Sequence, residues 1–200
     1  MTEATPSSTP RSSERQPGDR SPAPGDLGLV QSFVNTRWDL NHELEEQLRS
    51  PFELAGWFAE RRLLEPGTKL TAADLKRSLE VREGLRALLL VNNGATPDDR
   101  AIERLNRALN GAALAVRFDN DATPKLAAAG SDLDAALGSL ASIIAVAQTD
   151  GSWARLKACP GVHCGWAFFD HSRNQSGSWC SMAVCGSRSK AREYRRRQKR

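Results

Sequence analysis

The first 158 residues of this 200-residue chain contain no cysteine. No stretch approaches the ~18 consecutive apolar residues of a membrane-spanning helix, so none is expected. The opening Met1-Thr2-Glu3-Ala4-Thr5-Pro6 lacks the basic start and apolar run of a secretory leader, and a cytoplasmic protein is expected. There is no Gly-rich phosphate loop and no GxSxG elbow. His42-Glu43-Leu44-Glu45-Glu46 lacks the second histidine of a zinc-protease helix. Asn35, Arg37, Asp39, His42, Glu43 and Glu46 form the best rival catalytic cluster, and they read more simply as a solvated helical face. The expectation is that the chain is not an enzyme.

What is present is unevenly distributed. Residues 159–200 carry nine Lys/Arg and two Asp/Glu, a net of +7, whereas the chain as a whole is only +4. A mildly acidic body therefore ends in a strongly basic segment, which suits phosphate or an acidic surface. All four cysteines, Cys159, Cys164, Cys180 and Cys185, fall in that same segment. In a reducing compartment, metal binding outranks a disulfide framework.

Residues 1–26 are rich in Ser, Thr, Pro and Gly and read as a disordered arm. The segment 27–150 reads as a helical domain, and 151–200 as a small finger. Leu29, Val30, Phe33, Val34 and Trp38 recur at helical spacing. Ser50-Pro51-Phe52-Glu53 opens a second helix, with Ser50 as N-cap and Glu53 completing a capping box. Thr71-Ala72-Ala73-Asp74 opens a third, stopped by Asn92-Asn93-Gly94, and Thr96-Pro97-Asp98-Asp99 opens a fourth. Leu114, Val116 and Phe118 alternate as in a half-buried strand, and Lys125 to Ala129 is a candidate return strand. Ser131 is placed to cap a last long helix, broken near Gly151. The fold class is mainly α, with room for one small hairpin before the finger.

The cysteine spacing is Cys-x4-Cys-x15-Cys-x4-Cys. Zinc takes four thiolates at tetrahedral corners, and two close pairs supply them without long-range strain. Pro160 and Gly161 suit the first turn, and Gly186 follows the second pair. The gap reads as a hairpin: Trp166 to Phe169 outward, Asn174 to Gly177 turning, Ser178 and Trp179 returning. Four thiolates would close the coordination sphere and leave a structural site without an open position. A disulfide or redox pair is the alternative. His163 and His171 could replace a thiolate, but read as surface residues.

Gly186 to Arg200 holds eight basic residues and one acidic. If helical, Arg188, Arg192, Arg195 and Arg196 share a face suited to phosphate. Trp166 and Trp179 could stack on bases, but more simply pack the module.

Two stretches carry a resemblance. Cys159-Pro160-Gly161-Val162-His163-Cys164-Gly165-Trp166, Ser172-Arg173-Asn174 and Trp179-Cys180-Ser181-Met182-Ala183-Val184-Cys185-Gly186, followed by Arg188, Lys190 and Arg192, resemble the CGNR zinc finger. Phe33-Val34-Asn35-Thr36 resembles the opening motif of the ABATE domain, which usually precedes that finger. The family is described as bacterial stress-induced transcription regulators.

The resemblance implies a treble-clef-like finger of hairpin and basic helix, zinc (Zn2+) on the four cysteines, and DNA as partner. On that basis Arg173, Arg188, Lys190, Arg192, Arg195 and Arg196 are the candidate nucleic-acid contacts. It also implies a helical domain that senses a small-molecule effector or dimerises, and a nucleoid location. Asn35 and Arg37 are the candidate effector contacts. A protein–protein adaptor or RNA-binding protein is the alternative function. One departure is visible: Ser187 stands where the family signature has Asn.

Overall fold

The computed structural model describes residues 16–18, 20–40 and 43–198. Among them, six helices and three two-stranded antiparallel hairpins follow one another. Helix α1 (Leu27–Val34) lays Val30, Phe33 and Val34 into the core. It stops there rather than running on to Trp38. Arg37–Leu40 (β1) pairs with Glu43–Glu46 (β2), with Arg37 opposite Glu46. The cause is tertiary. One Arg86 amino group donates to the carbonyls of both Val34 and Arg37 (2.7 and 3.0 Å), which holds the chain in a bend between them. Trp38 is drawn edge-on against Trp166, with ring centroids 5.3 Å apart.

Helix α2 (Pro51–Ala59) starts at the expected Ser50 cap, but without the full capping box: Glu53 reaches one residue further back. The Ser50 hydroxyl accepts from Glu53 N–H at 3.2 Å, and the Glu53 carboxylate accepts from Arg49 N–H at 2.8 Å. Helix α3 (Ala72–Asn92) opens with a full capping box between Thr71 and Asp74. Helix α4 (Asp99–Ala108) is capped by the Asp98 side chain. Helix α5 (Asp132–Thr149) begins after Ser131, whose side chain makes no capping bond, contrary to expectation.

Helices α3 and α4 cross where a glycine allows it: a Cβ on Gly84 would lie 2.7 Å from the Leu105 Cβ. The hairpin β3 (Ala113–Phe118) and β4 (Pro124–Ala129) lies on α5. Its Ala-rich return strand is poor by propensity. It is used because a large side chain would not fit there: a Cβ on Gly138 would already lie 3.1 Å from the Ala128 Cβ. Val116 and Phe118 are exposed rather than half-buried.

The core is built by α1, α2, α3 and α5, with Phe33, Leu54, Phe58, Leu85, Leu89, Leu137 and Leu140 buried. Each such side chain contributes about 1.5–3 kcal/mol. That core does not end at the helices. A short 3-10 turn, Trp153–Arg155, leads into β5 (Leu156–Ala158), which pairs with β6 (Ala167–Phe169). Leu156, Ala158, Ala167 and Phe169 belong to the helical core. Trp166 and Phe168, on the other face of the alternation, pack with the four cysteines. A wide turn, Met182–Gly186, then leads into the last helix, α6 (Ser187–Gln198).

The expected arm falls partly outside the described residues (1–15 and 19). Its later part is not free: Gln16, Gly18 and the stretch from Arg20 to Ala23 lie in contact with the finger and α1.

Candidate metal centre and basic helix

The first cysteine pair sits at the closed end of the β5–β6 hairpin. Cys159 N–H donates to the Trp166 carbonyl and Cys164 N–H to the Gly161 carbonyl, both at 2.9 Å. The hairpin of the finger is thus β5–β6, not the expected pairing of Trp166–Phe169 with Ser178–Trp179. The knuckle is tight: a Cβ on Gly161 would meet the Cys185 Sγ at 3.2 Å. Gly165, with φ +61°, turns the chain back into β6.

In the second pair, Cys180 precedes the wide turn and Cys185 lies within it. Ser181 accepts at its carbonyl from Cys185 and Gly186 N–H (3.0 and 3.1 Å). The Ser187 hydroxyl donates to the Met182 carbonyl at 3.0 Å, closing the turn from its far side. Ser187 therefore holds the turn that joins the metal centre to α6.

All four Sγ atoms lie within 4.8 Å of one another, and all four cysteines are buried and free of disulfides. Cys180 Sγ is 3.6 Å from Cys164 Sγ and 3.7 Å from Cys185 Sγ. A tetrahedral ion with bonds near ~2.3 Å needs sulfur edges of about 3.8 Å, so the donor set fits a metal. The electrostatics agree. Hydrogen bonds from Cys164 and Cys180 pull Cys159 far down as a thiolate. That thiolate pushes Cys164 and Cys180 up, and burial pushes Cys185 up. Four buried sulfurs cannot ionise together without a cation among them.

Neither histidine belongs to this group. His171 Nε2 faces the Ser21 and Pro22 carbonyls (3.1 and 3.2 Å). His163 lies within the first knuckle, outside the four-sulfur cluster.

Comparison with known families adds to this geometry. Residues 27–152 match the ABATE model, described as "Putative stress-induced transcription regulator". The chain belongs to the ABATE family. Residues 155–198 match the CGNR zinc finger model. No curated protein matches the chain.

The ABATE helices are laced to the finger by side chains from α1 and α3. Asn35 is fully buried. Its Nδ2 donates to the Ala167 carbonyl at 2.9 Å, and its Oδ1 accepts from Ala167 N–H at 2.8 Å. It completes the outer edge of β6 as a strand would, with both ends of its amide engaged by Ala167. Arg37 lies in β1, half-buried, with its carbonyl held by Arg86. Arg86 also donates to the Gly165 carbonyl, next to Cys164. Burial opposes ionisation of Glu83, but Arg86 and Arg82 outweigh it and hold its carboxyl below the usual value. Asn92 donates to the Trp153 and Leu156 carbonyls, and Asn93 to those of Ala158 and Ser178.

The rest of the rival catalytic cluster does not form the expected helical face: Asp39 lies in β1, and Glu43 and Glu46 lie in β2. Glu46 takes both NH groups of Arg82 at 2.8 and 2.7 Å. His42 lies outside the described residues.

A second lock fixes the loop between the cysteine pairs. Lys157, in β5, donates to the Asp170 carboxylate and to the Gln175 and Gly177 carbonyls. Asp170 is fully buried and also accepts from Ser172 and Gly177 N–H. Sequence reasoning missed Lys157, Asp170 and Asn35 as structural keys. Their only signal was an ordinary polar residue inside an apolar stretch.

Helix α6 is exposed along nearly its whole length. At 100° per residue, Arg188, Arg192, Arg195 and Arg196 fall within an arc of about 100°. Lys190 falls on the opposite side of the helix. Arg192 and Arg196 share a shallow cavity of about 290 Å³ with Trp179, Pro160, Gly161 and Val162. Arg196 and Arg197 pair with Glu193. Arg173 lies exposed in the loop held by Asp170.

Proposed function

We propose that this ABATE protein is a DNA-binding transcription regulator whose basic helix is held in place by structural zinc. Cys159, Cys164, Cys180 and Cys185 hold the ion, and four thiolates fill its coordination sphere. The zinc supplies folding free energy to the finger and no catalysis. One observation carries the reading: a largely exposed helix bears four arginines on one face and is rooted, through the Ser181–Ser187 turn, in the buried sulfur cluster.

Such a row suits phosphate oxygens, which position a protein on the duplex without reading its sequence. Lys190, on the opposite side of the helix, and Arg173, in the loop between the cysteine pairs, lie outside the row and add weaker contacts. The ABATE helices share their core with β5 and β6, so a displacement of α3 reaches the first knuckle through Arg86. That is the route by which a signal received by the helices would reach α6.

The test is anisotropy titration of full-length protein on duplex DNA across a salt series. Contact with about five or six phosphates gives a slope of log K against log salt near ~−5. Arg188→Ala and Arg192→Ala should each flatten it by about one unit, and Lys190→Ala by clearly less. Chelation should abolish binding. Salt-insensitive binding, or equal effects from both helix faces, would contradict the proposal. Preference for single-stranded RNA over duplex DNA would replace DNA as the partner.

A further inference from the structure

The segment just before α1 lies outside both family matches, which begin at residues 27 and 155. Yet it makes some of the most specific contacts in the molecule. Arg20 Nε donates to the Cys180 carbonyl at 2.8 Å, and an Arg20 NH2 group to the Trp179 carbonyl at 2.9 Å. The same guanidinium lies 4.9 Å from the centre of the Phe168 ring. A planar, forked cation thus grips the backbone at the third cysteine and stacks on the floor of the cysteine cluster.

Gln16 works from the other end. Its Oε1 accepts from Trp166 Nε1 at 3.1 Å in the finger and from Gln31 Nε2 at 2.8 Å in α1. Gln31 is itself buried, donates to the Ala167 carbonyl, and accepts from Ala23 N–H at 2.6 Å. His171 reaches the Ser21 and Pro22 carbonyls from the finger loop.

Between these ties, Gly18 has φ +70°, and a Cβ there would lie 3.1 Å from the Ser181 Oγ. Both conditions favour glycine. Ser181 is the residue whose carbonyl anchors the wide turn before α6. Pro17, Pro22 and Pro24 restrict the unfolded chain and so lower the entropy lost on docking.

We infer that residues 16–18 and 20–24 form a strap that is a working part of the finger: Arg20 is a positioning residue for the second cysteine pair, and the strap sets metal retention and the seating of α6. Metal and strap are then thermodynamically linked, each tightening the other. The proposal rests on the zinc reading for its first readout, but not for its second.

The experiment uses full-length wild type, Arg20→Ala and Gly18→Ala. Zinc release to an excess of a colorimetric chelator is followed in time, and amide hydrogen exchange is mapped by mass spectrometry. Arg20→Ala should release zinc about tenfold faster, as loss of two charge-assisted hydrogen bonds implies. Exchange should rise in residues 16–24 and 178–187 while α3 and α5 keep wild-type protection. Gly18→Ala, which removes no donor, should shift both readouts in the same direction. It decides the matter if Arg20→Ala fails to fold.

Release and exchange within about twofold of wild type in both variants would overturn the proposal. If wild type holds no zinc, the metal reading fails by itself. The strap is then judged by exchange alone: protection of residues 16–24 that is lost in the variants supports it, and no protection in wild type overturns it.

Discussion

Replacing Asn35 with Ala removes the side chain that serves as a partner strand for β6. Two hydrogen bonds go, at 2.9 and 2.8 Å, from a fully buried position. The Ala167 carbonyl keeps the Gln31 amide at 3.1 Å, but the Ala167 N–H keeps nothing. Lost hydrogen bonds cost about 1 kcal/mol each, and a stranded buried N–H about 1–3 kcal/mol. Allowing for overlap between these terms, the expected loss is about 2–4 kcal/mol. For a chain of this size, that lowers the melting temperature by about 5–15 °C.

The assay is urea and thermal unfolding of zinc-loaded protein, followed by far-ultraviolet circular dichroism and by tryptophan fluorescence. Wild type should unfold in one transition, because helices and hairpin share a core. Asn35→Ala should separate the two probes, with the finger melting first. Asn35→Asp should be no better, since a carboxylate accepts from Ala167 N–H but repels the Ala167 carbonyl. A loss below about 0.5 kcal/mol would refute the idea that Asn35 joins the two parts.

Cys180→Ser should reduce bound zinc from about one per chain to near zero and release α6 while the ABATE helices keep their signal; metal analysis with circular dichroism checks this. Full zinc retention in that variant would show the ligand set to be wrong. Burial opposes ionisation of Asp170, but hydrogen bonds from Lys157, Ser172 and Gly177 outweigh it and hold the carboxyl at about 2. Its folded value is depressed, so its stabilisation is complete above the unfolded value near ~3.9 and is lost as pH falls toward 2. That amounts to up to about 2 kcal/mol, read as the difference in acid sensitivity between wild type and Asp170→Asn in unfolding titrations. Gly84→Ala places a Cβ 2.7 Å from that of Leu105, at the α3–α4 crossing. It should cost about 1–3 kcal/mol in a urea titration despite raising helix propensity.

Much of the architecture was legible because its causes are local. Ser50, Thr71 and Asp98 each begin a helix by bonding an N–H three residues away, and that needs no knowledge of the rest of the chain. The cysteine spacing pointed to the four-sulfur cluster for the same reason: each pair closes through its own turn. The arginine face of α6 follows from helical periodicity alone.

What the sequence could not decide were pairings set by distant partners. Trp38 carries helical spacing from Leu29 onward, yet it lies in β1 because Trp166 and Arg86 wait there. Asn35 looked like a free polar group until β6 was placed beside it. Lys157 and Asp170 are 13 residues apart and reveal nothing until the hairpin brings them together. The segment from Gln16 to Ala23, with its prolines and no apolar stripe, has the composition of a tail; its order comes from surfaces about 150 residues away, such as the carbonyls of Trp179 and Cys180. Local propensity and spacing marked most of the helices and the cysteine cluster. Only the tertiary structure joined helices, finger and strap into one core, because long-range hydrogen bonds depend on which backbone groups folding leaves without a partner.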